Sequence, residues 1–257
     1  MKNDRADFCY ACDSHSISRE HIPPKCLFPT ELPENLRKNL ITVPSCEEHN
    51  GRKSDDDEFL LASLAGIIGC NDIGLFHKFT KVDRAIRRSG GRLLKKVLRD
   101  QEIKSLVMEN GDEVDVIWGK PDLERLSRCF DLIGRGLFFH KFGMRFRGKV
   151  VCEVVYVPVN DRGRKGYREY VVDQMQKELS ISDLKGDNPS VFQWVIGPQD
   201  ISGGRCGHLI FYGNLSVYLG FIPEEFQDED FVDLYSLAKT SIKPVYIQKD
   251  GKRYRIN

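Results

Sequence analysis

Apolar residues recur at helical spacing through the middle of the chain. Phe59, Leu60, Leu64, Ile67 and Ile68, with Ser63, mark one face of a segment from Asp57 to about Ile68, and Gly69 follows as its stop. A second helical stretch runs from about Leu75 to Arg88 and breaks at Gly90-Gly91; a third runs from about Arg92 to Glu102. The clearest helix follows Pro121, where Leu123, Leu126, Phe130, Ile133 and Leu137 step by three and four residues until Gly143. Beyond that point strands and helix mix. Val150 to Val159 carries β-branched residues on both faces, which predicts a central strand. Tyr167 to Leu179 reads as helix, and Val191 to Ile196, Leu209 to Tyr212 and Ser216 to Ile222 read as strands. Gly213-Asn214 predicts a tight turn between the last two. Val245 to Gln248 and Arg253 to Ile256, around Asp250-Gly251, predict a closing hairpin.

Residues 1–58 lack this periodicity, yet they hold four of the eight cysteines and three of the six histidines. A segment with so few core residues needs a staple. Cys9-Tyr10-Ala11-Cys12 is a CxxC and Cys46-Glu47-Glu48-His49 a CxxH. Two ligands three apart converge on one side of an ion, and thiolates with an imidazole select Zn²⁺ over Mg²⁺ or Ca²⁺. Four protein ligands leave no open position, so the expected zinc is structural. Cys26, Cys70, Cys129, Cys152 and Cys206 have no such spacing and read as small buried residues.

Between and after the two ligand pairs lie Glu20-His21-Ile22-Pro23-Pro24, Asn39-Leu40, Asn50 and Lys53. Neighbouring side chains on a strand point to opposite faces, so Glu20 and His21 share a site only where the strand ends, and the two prolines supply such an end. The order Cys9, Cys12, Glu20-His21, Pro23, Asn39-Leu40, Cys46, His49-Asn50 and Lys53 resembles the HNH endonuclease family over residues 8–58. His49 stands where a Cys is commoner, and Glu20 where an Asp is commoner. The resemblance implies a ββα-metal module in which His21 is the general base. It implies that Glu20 and Asn50 hold a catalytic Mg²⁺ or Mn²⁺, that Asn39 orients the loop, and that Lys53 touches phosphate.

The chain has 39 Lys plus Arg against 38 Asp plus Glu, a net charge of +1 over 257 residues, so any nucleic-acid surface must be local. From Lys78 to Arg99, nine cations stand against Asp83 alone. Arg84, Arg87, Arg88, Arg92, Lys95 and Lys96 are the expected phosphate track beside the module. Arg135, His140, Lys141, Arg145 and Arg147 form a second basic cluster; Arg162, Arg164, Lys165 and Arg168 form a third. Asp55, Asp56, Asp57 and Glu58 read as a solvated first helical turn, and Glu224 to Asp233 as an acidic counterweight. Apolar content of 40% predicts a folded chain. With no apolar run near the length of a bilayer span and no apolar signal core at the start, the expected setting is the cytoplasm, away from membranes.

These readings give an α+β protein with an N-terminal zinc-stapled ββα-metal HNH module (1–70), a basic helical connector (71–119) and a C-terminal mixed α+β domain with antiparallel strands (120–257). The expected function is metal-dependent hydrolysis of DNA, with RNA as the alternative, in restriction or defence by analogy with the family. A non-catalytic zinc-stapled nucleic-acid-binding module, or an effector subunit using residues 120–257 to dock a protein partner, are the competing expectations.

Overall fold

Two short strands open the fold: β1 (Ser18–His21) and β2 (Thr42–Ser45). They pair antiparallel from Ser18↔Ser45 to His21↔Thr42. The computed structural model describes residues 7–51, 54–107, 109–157, 162–179, 183–200, 203–226, 246–249 and 252–255. After β2 come the single turn α1 (Glu47–Asn50) and the helix α2 (Ser54–Ala65). Every residue from Phe59 to Ala65 is buried, so the second half of α2 is enclosed on all sides, and the helix ends three residues before the expected Ile68.

A long helical run follows: α3 (Asp72–His77), a π-helical turn at Lys78–Val82, and α4 (Asp83–Arg88). Its start is capped by Asn71, whose Oδ1 accepts from the Gly74 N–H at 3.1 Å. Gly90 and Gly91 take left-handed φ values of 57° and 80° and break the run as expected. The next helix, α5 (Arg92–Val97), is shorter than predicted. From Leu98 the chain turns into β3 (Leu98–Val107), paired antiparallel with β4 (Glu113–Pro121). The connector is therefore helical only in its first half. The signal for the hairpin is Asn110-Gly111 between two runs of β-formers, Ser105-Leu106-Val107 and Val114-Asp115-Val116-Ile117-Trp118.

Helix α6 (Leu123–Phe142) begins where Asp122 accepts from the Arg125 N–H at 3.1 Å and ends at the left-handed Gly143. It packs on a four-stranded antiparallel sheet with the order β5-β8-β7-β6. These strands are β5 (Lys149–Val154), β6 (Phe192–Gln199), β7 (Arg205–Phe211) and β8 (Leu215–Ile222). Helix α7 (Arg162–Glu178) covers the other face through Val172 and Met175, against Val195, Cys206 and Tyr218. This arrangement corrects the sequence expectation for Val150–Val159, whose last two residues lie outside the described residues: among the described residues β5 pairs only with β8 and lies at the edge of the sheet. Its two-sided apolar pattern arises because a helix covers each face of the sheet out to that edge. A last hairpin joins β9 (Tyr246–Lys249) to β10 (Lys252–Arg255), and its turn lies outside the described residues.

One buried cluster runs from Cys9, Tyr10 and Ile22 through Phe59 and Phe130 to Leu219 and Phe221, so the amino-terminal segment and the sheet share a core. Gly136 on α6 shows how close the two come: a β-carbon there would lie 2.6 Å from the Cγ1 of Ile22, the residue after His21. Gly136→Val is expected to cost about 1–3 kcal/mol by overpacking, read as a lower urea midpoint with an unchanged slope. Among the described residues, no helix is long and apolar enough to cross a membrane.

Candidate metal centre and its surroundings

Cys9 lies just before the turn ahead of β1, Cys46 caps the start of α1, and His49 lies within that single turn. The fold brings both motif pairs together: the ligand atoms of Cys9, Cys12, Cys46 and His49 all lie within 4.8 Å of one another. The Cys12 and Cys46 sulfurs are 3.7 Å apart. His49 Nδ1 is 3.2 Å from the Cys46 sulfur and 3.6 Å from that of Cys9. A tetrahedral zinc with ordinary bond lengths needs S···S edges of about 3.8 Å and S···N edges of about 3.6 Å. The cluster fits a metal such as zinc. The backbone tightens the site: Cys9 N–H donates to the Ser14 carbonyl at 2.9 Å, and Tyr10 N–H to the Pro44 carbonyl at 2.9 Å. Burial pushes the Cys46 thiol up from its ordinary value, a shift that a bound cation reverses by favouring the thiolate.

The β1–β2 hairpin separates the two residues expected to act together. Glu20, 5% exposed, shares the core-facing side with Val43 and Ser45, and its charge acts on the buried Tyr10 hydroxyl. His21 takes the opposite side at the end of β1, half-buried. Burial holds its pKa below the ordinary value, and Lys25 and Arg37 are the charges that reinforce this. Asn50 is drawn to β1: its Nδ2 donates to the Ser18 Oγ at 2.8 Å and to the Arg19 carbonyl at 3.3 Å. By strand alternation Ser18 is on the same side as Glu20, so Asn50 and Glu20 lie along one face. Asn39 is exposed with φ 50°, a left-handed position that Asn tolerates well, and serves the turn before β2. Lys53 lies outside the described residues.

The basic helices meet the acidic start of α2. Arg88 approaches Glu58 at 3.8 Å, Lys96 approaches Asp55 at 3.7 Å, and Arg84 reaches Glu31 at 3.5 Å. Arg92 Nε donates to the Ser89 carbonyl at 3.0 Å. The acidic run is thus not simply solvated; Asp56 also takes Arg125 of α6, whose guanidinium lies 4.3 Å from the Phe59 ring centre. Exposed pairs of this kind are worth about 0–1 kcal/mol each and yield readily to a competing phosphate. The second basic cluster is tied into the fold. Arg135 bridges Asp131 and the carbonyls of Phe146 and Gly148, Lys141 donates to the Ile196 carbonyl, and Arg145 pairs with Asp13. In the third, Arg168 pairs with Glu153, and the cluster lies in the first turns of α7.

His77 and Tyr212 carried no local signal in the sequence. Tyr212 occupies the β7–β8 turn with φ 44° and is wholly buried. Its hydroxyl donates to the Leu27 carbonyl at 2.9 Å and meets His77 Nδ1 at 3.1 Å. Burial, with Lys81 and Arg37 reinforcing it and Glu31 opposing, lowers His77 from 6.5 to about 4. The unfolded state then binds the proton first, so this contribution to stability is complete above about pH 6.5 and is lost as pH falls toward about 4. The loss is about 3 kcal/mol at most. Urea melts across that window should show it, and His77→Gln should flatten the dependence.

No family model, characterised protein or solved structure matches this chain.

Proposed function

We propose that this protein is a metal-dependent endonuclease of HNH type that hydrolyses phosphodiester bonds in DNA. The observation that carries the reading is the Cys9, Cys12, Cys46 and His49 cluster, which brackets a β1–β2–α1 unit and presses Asn50 onto the strand bearing Glu20 and His21. The order of Glu20-His21, Pro23, Asn39-Leu40 and Asn50 around those ligands in the sequence supports the same module. In this mechanism the Glu20 carboxylate and the Asn50 amide oxygen would hold a hard divalent cation, Mg²⁺ or Mn²⁺, which would supply positive charge for the phosphate and the leaving 3′ oxygen. His21, kept neutral by its surroundings, takes the proton of the attacking water. Arg87 and Lys95, on the exposed side of α4 and α5, hold the neighbouring backbone phosphates.

The test is nicking of a supercoiled plasmid by zinc-loaded protein with Mg²⁺ or Mn²⁺ supplied. Cutting that needs the added ion supports the reading. One observation favours the second reading, a zinc-stapled nucleic-acid-binding module without activity: Glu20 faces the core while His21 faces away. Salt-sensitive DNA binding with no cutting under either ion would select it.

A further inference from the structure

A cavity of about 290 Å³ opens between the segment after β1 and the α3–α4 helical run. Its lining includes Arg37, Lys81, Arg84 and Arg88, four cations, against one carboxylate, Glu31. The volume is at the small end of the about 300–1,000 Å³ typical of ligand sites. Two guanidiniums are anchored through Nε, Arg37 to the Phe28 carbonyl at 2.9 Å and Arg84 to the Thr80 carbonyl at 3.1 Å. Such anchoring fixes the planar fork that suits phosphate. Lys81 sits in the π-helical turn, a distortion that often marks functional positions.

His77 supplies a second and independent feature. It lines this cavity, is 0% exposed, and its buried Nε2 has no hydrogen-bond partner. Its tautomer follows from the bonds around it. The single Tyr212 O–H hydrogen goes to the Leu27 carbonyl, which can only accept, so the Tyr212 oxygen accepts from His77 Nδ1–H. Nε2 therefore carries a lone pair. An acceptor among four cations is an odd feature for a site that binds any anion. It suits an anion that brings its own hydrogen.

We propose that this cavity binds a terminal phosphate group in its singly protonated form, with Arg37, Lys81, Arg84 and Arg88 holding the charged oxygens and His77 Nε2 accepting the P–OH hydrogen. Sulfate carries the same charge as hydrogen phosphate but no such hydrogen, and it would leave Nε2 unpaired. A terminal phosphate can come from inorganic phosphate or from the 5′ end of a nucleic acid. The proposal does not rest on the nuclease reading, because its readout is binding: a protein that never cuts can still pass.

The zinc-loaded protein of 257 residues is titrated calorimetrically with inorganic phosphate and with sulfate near neutral pH. The expected result is saturable phosphate binding, with sulfate weaker by about tenfold or more. Arg84→Gln with Arg88→Gln should weaken phosphate by at least about tenfold, and both arginines are exposed, so the variant keeps its fold. Arg128→Gln with Lys177→Gln removes equal charge from exposed positions on α6 and α7, away from the cavity, and should change phosphate affinity by no more than about twofold. An oligonucleotide with a 5′ phosphate and its 5′-hydroxyl twin identify the source. Tighter binding of the phosphorylated strand, abolished by the Arg84/Arg88 variant, assigns the cavity to nucleic-acid ends. Equal binding of the two strands, with phosphate binding intact, assigns it to free phosphate. Absence of saturable phosphate binding, sulfate binding as tightly as phosphate, or an Arg84/Arg88 variant that binds like the wild type overturns the proposal.

Discussion

Stripping the metal, by chelator or by Cys46→Ser, is expected to unravel the ligand loops and the β1–β2 pair, residues 7–21 and 42–51, and lower the melting temperature by about 10 °C or more. Structural zinc sites in small modules carry about 10–16 kcal/mol of apparent binding free energy, which acts as folding free energy. Local backbone pairing adds little around the ligands. β1 and β2 are four residues each, and a lone two-stranded pair is marginal in water. Cys9 and Cys46 are buried, so loss of the ion leaves thiols packed against one another with no charge partner. The shared core limits the damage. Leu27 and Tyr212 stay joined through the Tyr212 hydroxyl, and β7–β8 is paired along its whole length. Hydrogen exchange should therefore show loss of protection at the amides of Cys9, Tyr10 and Ile17, while Leu209 and Val217 remain protected. Native protein with about one zinc per chain that loses neither metal nor stability in Cys46→Ser would refute this account.

The metal cluster was legible in the sequence because its logic is local. Two ligands three apart must converge, and two such pairs in one core-poor segment have few other uses. Helix α6 was legible for the same reason: its apolar stripe, its start after Pro121 and its Gly143 end are all encoded within 23 residues. What failed to read depended on partners far along the chain. β5 looked central because both its faces are apolar, and only the docking of α6 and α7 explains how an edge strand needs that. The β3–β4 hairpin was hidden because Leu98 to Glu102 continues the helical pattern of α5, and Asn110-Gly111 was the one cue against it. The basic cavity was invisible in principle. Arg37, His77 and Arg84 lie on different elements, and Tyr212, whose hydroxyl fixes the His77 tautomer, is 135 residues further on. The candidate nuclease residues stand between these cases. Their order is local, but which side of β1 each one faces was set by burial of Val43 and Ser45 on the opposing strand.

His21→Ala gives the sharpest test of the proposed chemistry. A positioned general base is worth about 10²–10⁴-fold, so plasmid nicking should fall by that factor while zinc content and DNA affinity hold. The separation is possible because of where the residue sits. His21 is at the end of β1, on the strand side opposite Glu20, and is only half-buried. Truncating it removes no buried packing comparable to Ile22 beside it, which is wholly enclosed. Glu20→Gln makes the matching test from the other face. It keeps the shape and removes the charge, so it should raise the Mg²⁺ or Mn²⁺ concentration needed for half-maximal nicking and leave zinc in place. If both substitutions act, the two faces of β1 must be brought to one phosphodiester at the strand's end, where the Pro23-Pro24 segment begins. If His21→Ala cuts like the wild type while Glu20→Gln does not, the base is another group and the imidazole belongs with Arg37 on the phosphate-binding side. Should neither variant change a nicking activity that chelators abolish, the cation is held elsewhere and the HNH reading of residues 8–58 fails.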